Sequence, residues 1–161
     1  MSEQTLREEL LDAFKNRAIL YYLIYDEIRK ECGAELAEAV LSRAIYRRGA
    51  EKGQQAFAHY GPRDLQGLKQ AFLSSYADEG SLFQPEVVRD EPQGLDIRHR
   101  RCPLKEAWEQ YGLSDEDLAT MCRIASQVDN GTFEAAGFRI EVDSWQPGQE
   151  GCCRLCISPG E

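Results

Sequence analysis

The chain has no apolar run long enough to cross a bilayer. Its most apolar stretch, Ala18 to Tyr25, is eight residues long and has Arg17 and Asp26 at its ends, where about 20 apolar residues are needed. It also lacks a basic leader. The first residues, MSEQTLREELLDAF, are acidic and polar, with no small-residue cleavage site, so no signal peptide is predicted and a cytoplasmic location is expected. Positive charge is scarce: 19 Lys and Arg stand against 28 Asp and Glu, for a net charge of −9. A surface that negative repels phosphate backbones and gives no attraction to anionic lipid, so neither nucleic acid nor a membrane is expected as a partner. There is no internal repeat, no low-complexity tract and no linker. The 161 residues suit one domain, residues 1–161, with a helical half over 1–80 and a mixed half over 81–161.

Cysteine is plentiful by contrast. Of the six, Cys32 stands apart, while Cys102, Cys122, Cys152, Cys153 and Cys156 fall late in the chain. In a cytosolic protein such residues are core side chains, metal ligands or reactive thiols rather than structural disulfides.

Periodicity places these cysteines on elements. Leu6, Leu10, Phe14, Ala18, Tyr21, Tyr22, Tyr25 and Ile28 form a helical stripe that ends at Gly33. A second helix is predicted from Glu35 to Tyr60, stopped by Gly61-Pro62, and a third after the cap Asp64. Pro92-Gln93-Gly94 then divides two extended runs, a hairpin pattern. On the second run Leu95, Ile97 and His99 share one face. A short helix is predicted from Pro103 to Tyr111, another from Asp115 to Gln127, and a turn or short helix over VDNGTFEAAG. FRIEVDSW and GCCRLCIS read as two further strands. The expected class is α+β: N-terminal helices packed on an antiparallel sheet of about four strands, made of two hairpins.

Cys102 stands directly before Pro103, with Arg98, His99, Arg100 and Arg101 upstream. Proline is at home at the first helical position, which makes Cys102 the cap. First-turn N–H groups and the positive end of the helix dipole point there and favour a thiolate. The competing reading is a small buried cysteine at a strand end. His99 and Cys102 lie on opposite faces of an extended chain, so contact between them needs a bend. His99 also reads as a surface residue among arginines. Cys122 reads as core or pocket lining, and Asp129 as turn chemistry or a carboxylate aimed into a pocket. Because GCCRLCIS reads as a strand, Cys152 and Cys153 fall on opposite faces and only one of them is expected to face a site. Gly49 and Gly53 read as a close helix contact. Arg47 can reach a cavity and fork onto a carboxylate.

Taken in order, AIYRRGAEKG, CPLKEAWEQYGLS, Cys122 about twenty residues beyond Cys102, VDNGTFEAAGF and GCCRL resemble the L-2-amino-thiazoline-4-carboxylic acid hydrolase family over roughly residues 40 to 157. The resemblance implies hydrolysis of a small cyclic amidine or thio-heterocycle, opening a thiazoline ring to an N-carbamoyl amino acid. On that reading Cys102 is the nucleophile, and Asp129 or His99 handles protons. Arg47 holds the substrate carboxylate, and Tyr46, Cys122, Phe133 and Cys153 complete the substrate site. No cofactor is expected. A weaker resemblance to four-vinyl reductase-like domains implies the alternative, a metal- or small-molecule-binding sensor module, in which Cys102, Cys122 and Cys153 with His99 or Asp129 take zinc or iron. The expected partner is a small-molecule substrate, with a homo-oligomer left open.

Overall fold

A computed structural model describes residues 1–161. The elements run α1 (Glu3–Cys32), α2 (Ala34–Ala56), a 3-10 turn (Ala58–Tyr60), α3 (Leu65–Ser74), β1 (Pro85–Glu91), β2 (Gly94–His99), α4 (Pro103–Tyr111), α5 (Asp115–Ala125), α6 (Gln127–Ala135), β3 (Arg139–Asp143) and β4 (Arg154–Ser158). Their ends follow local chemistry. Asp64 accepts the Gly67 N–H at 2.9 Å and starts α3. Ser114 accepts the Asp117 N–H at 3.1 Å and starts α5. Gly112, at φ 91°, ends α4 in the left-handed conformation that glycine adopts without strain. The second helix stops at Ala56, short of the expected Tyr60, and the residues from Ala58 tighten into the 3-10 turn. VDNGTFEAAG resolves as a helix, α6.

The sheet is antiparallel throughout, in the order β1-β2-β4-β3. Leu95 pairs with Ile157 and Ile97 with Leu155 across its centre. These four side chains are buried with Leu68 and Phe72 of α3 and Phe133 of α6. A second apolar cluster joins α1, α2, α4 and α5 through Ala18, Tyr25, Ile45, Trp108, Met121 and Ile124. Each large side chain so buried contributes about 1.5–3 kcal/mol. Tyr25 is buried in this cluster, and Tyr21 and Tyr22 pack against it, so the tyrosine stripe is core rather than an exposed interface. The Trp108 indole N–H donates to the Ala18 carbonyl at 2.7 Å, tying α4 to the middle of α1.

Glycine sets the crossing of α2 and α6. A Cβ on Gly49 would strike the Val128 carbonyl, one on Gly53 the Thr132 carbonyl, and one on Gly131 the Tyr46 carbonyl. The two backbones therefore touch directly. This contact seats Asp129, next to Val128, beside the end of α2.

Candidate active site

A cavity of 380 Å³ lies between the two apolar clusters. Phe14 of α1, Trp108 of α4 and Cys122 of α5 line one side, while Phe72 of α3, His99 of β2 and Cys153, just ahead of β4, line the other. Fourteen of its 23 lining residues are hydrophobic, so the polar groups it does hold stand in poorly solvated surroundings. Cys102, Cys122, Cys152, Cys153, His99 and Asp129 all reach this one space.

Cys102 caps α4 in extended conformation, φ −145° and ψ 113°. Its sulfur is held below the ordinary thiol range. The largest cause is the neighbouring Cys152 thiol. Burial opposes this, and the Lys105 and Leu104 amides add to the lowering. Those amides face the sulfur without strict hydrogen-bond geometry, as the open end of a helix does. The other cavity thiols move the opposite way. Burial pushes Cys122 up to about 12, with the charge on Cys102 adding to it. Cys153 is raised mainly by burial and then by Asp129, and Cys152 by its neighbour Cys102 and by burial. One sulfur is thus prepared to ionise among three that keep their protons.

Asp129 is pushed up to about 7 by burial, with Lys52 pulling it back. His99 is buried, not on the surface. The chain bends between β2 and α4, and both ring nitrogens are engaged: Nε2 meets the Tyr76 hydroxyl at 2.5 Å and Nδ1 the Cys153 sulfur at 3.1 Å. Burial pushes its pKa down to about 4, so the ring is neutral near pH 7.

Cys152 and Cys153 both line the cavity, although strict alternation allowed only one. The reason is that β4 begins at Arg154, so the pair precedes the strand and does not alternate across it. Cys156, inside β4, pairs in register with Asp96 and lies away from the cavity. Arg47 does not enter the cavity. Its side chain is 84% exposed, 3.9 Å from Glu51. It sits two residues from both Ile45 and Gly49 of the buried stripe, about 200° around the helix. Tyr46 donates to Glu134 at 2.6 Å, and Phe133 is buried under the sheet; neither lines the cavity. Arg48 and Lys52, one turn apart beside the glycines, line it instead, a placement their spacing from Gly49 and Gly53 signals. Tyr76 and Arg17 were also missed. Nothing local distinguishes Tyr76, whose partner lies 23 residues on.

No group of three or more His, Cys, Asp or Glu side chains is placed to share a metal ion.

An α+β domain with a thiol-lined cavity at a helix start defines the class. Residues 13–157 match the L-2-amino-thiazoline-4-carboxylic acid hydrolase family, and the chain belongs to it. No curated protein matches the sequence. Among solved structures, the fold is similar to that of a trafficking protein particle complex subunit 3 from Naegleria fowleri covalently bound to palmitic acid. The TM-score is 0.52 at 14% identity, over 92% of this chain and 96% of that one.

Proposed function

We propose that the chain hydrolyses a cyclic amidine of the 2-amino-thiazoline carboxylate class, with Cys102 as nucleophile and Asp129 as proton carrier. The observation that carries this reading is the pairing, on one cavity, of a single thiol lowered by its surroundings with a carboxyl that holds its proton to about pH 7.

The Cys102 thiolate adds to the ring carbon that bears the amino group, while protonated Asp129 gives its proton to the ring nitrogen. The carbon–sulfur bond of the ring breaks, and the substrate sulfur leaves as a thiolate. Cys102 is then joined to an isothiourea. Water adds to the same carbon and loses its protons to Asp129 and the departing substrate sulfur. The bond to Cys102 breaks, regenerating the thiolate and leaving an N-carbamoyl amino acid with a free thiol. Ring and water account for every atom of the product, and no electrons are exchanged. With both its nitrogens occupied, His99 acts as the anchor that fixes Cys153 in the wall.

The test is turnover of 2-amino-thiazoline-4-carboxylate by wild type and Cys102→Ser. The expected result is N-carbamoyl-cysteine from wild type and a loss of about 10³-fold or more in the variant. A folded Cys102→Ser protein with undiminished turnover overturns the nucleophile assignment.

A second reading is a binding module that keeps its ligand. It is supported by the apolar lining and by the similar fold of a protein covalently bound to palmitic acid. Intact-mass analysis of purified protein separates the two. A stable adduct on Cys102 favours the module, and an unmodified chain that turns over substrate favours the hydrolase.

A further inference from the structure

Four lining residues are exposed and mark where the cavity meets solvent: Arg17, Arg48, Lys52 and Ser75. Three are cations, on a chain of net charge −9. Arg48 has a carboxylate partner, Glu51, at 3.1 Å. Arg17 and Lys52 form no ion pair; the Arg17 guanidinium lies 4.8 Å over the Phe14 ring. Burial disfavours the charge on Lys52 most; Asp129 favours it, and Arg48 and Arg17 add to the disfavour. Unpaired cations crowded together on an acidic protein are unfavourable for the fold alone, and an anion at the mouth relieves them.

Below this rim the walls are aromatic. Phe14 meets Phe83 edge to face at 5.6 Å, and Phe83 meets Tyr76 at 5.9 Å. The space is also too large for the family's bare ring. A benzene occupies a cavity of about 150 Å³, so the ring acid, with about nine non-hydrogen atoms, fills roughly 225 Å³. The cavity here is 380 Å³, which leaves room for one more benzene-sized group.

Building on the hydrolase reading, we propose that this chain's substrate is a cyclic amidine acid carrying an additional apolar substituent of about benzene size. Its anionic group is held by Arg17, Lys52 and Arg48 at the mouth, and its substituent by the Phe14–Phe83 wall. The cations set the orientation, and the aromatic wall sets the size preference.

Calorimetric titration of Cys102→Ala protein tests this, since that variant does not consume its ligand. Three probes are compared: 2-amino-thiazoline-4-carboxylate, its 5-phenyl derivative, and the methyl ester of that derivative. The phenyl acid is expected to bind about tenfold or more tighter than the unsubstituted acid, from the apolar area it buries. Its ester is expected to bind about tenfold or more weaker than the acid, and the double variant Arg17→Ala/Lys52→Ala is expected to close that gap. Both positions are exposed, so an unchanged melting temperature verifies that the double variant is folded. Equal binding of the two acids, equal binding of acid and ester, or no binding at all overturns the proposal. Wild-type turnover is measured in parallel. Hydrolysis of the unsubstituted acid without a phenyl preference sinks this inference and leaves the hydrolase reading standing, whereas the predicted binding pattern without hydrolysis sinks the hydrolase reading and, with it, the claim that the phenyl acid is a substrate, leaving only its place in the cavity.

Discussion

Asp129 destabilises the fold at neutral pH and above. Its folded pKa is about 7, against about 3.9 in the unfolded chain. Between those values the unfolded state releases a proton that the folded state keeps, so stability falls as pH rises through this window and is constant beyond it. Asp129→Asn is therefore expected to raise stability by roughly 2–4 kcal/mol at pH 8 and to have little effect near pH 4, as read by urea denaturation at both pH values. Activity carries the opposite sign. With Asp129 as the acid, kcat/KM is expected to fall above about pH 7, and Asp129→Asn to remove that limb while lowering the rate by about 10²–10⁴-fold. A pH profile of both proteins checks this, and a limb that survives the substitution rules the role out. The place of Cys102 as the cap of α4 was legible because a cap before proline is a local feature; Asp129 reads as turn chemistry, yet it lies within α6 and on the cavity. Arg47 misled because its neighbours in sequence are not its neighbours in space. Only the buried stripe of α2 shows that Arg48 and Lys52 flank the inward face while Arg47 opposes it.

The crossing of α2 and α6 rests on missing side chains. Gly53→Ala forces a methyl group onto the Thr132 carbonyl, and backbone cannot step aside as a side chain can. The expected cost is about 3 kcal/mol or more, measurable by chemical denaturation; a loss below about 0.5 kcal/mol would refute direct backbone contact. Most elements could be read from period and caps, as at Ser114 and Gly112. The strand order could not. Pairing of β4 with β2 joins residues about sixty positions apart, and no local signal encodes it. The start of β4 at Arg154 was hidden for a related reason: its hydrogen-bonded partners in β2 and β3, not its own composition, decide where the ladder begins.

At the scale of the molecule, the cavity is the seam between two apolar clusters. A ligand seated there touches both halves and is lost when either opens. A non-hydrolysable analogue at about 100 times its Kd is expected to stabilise the protein by about 2.7 kcal/mol. Amide exchange is expected to slow in α4 and in β2 together. Protection confined to one cluster would place the ligand elsewhere. The net charge of −9 sets the average surface against polyanions, yet whole-chain totals conceal a local reversal. Three cations gathered at one opening give a small anion a destination that the average surface denies it.

The three glycines have one more effect. Lys52 lies next to Gly53 and Asp129 next to Val128, so the backbone points from which ammonium and carboxyl extend are set by main chain resting on main chain. A ruler made of peptide backbone does not flex as rotamers do. The proton affinity of the acid is thereby written into two helices, and a methyl group added at Gly49 would retune it without altering a single titratable residue.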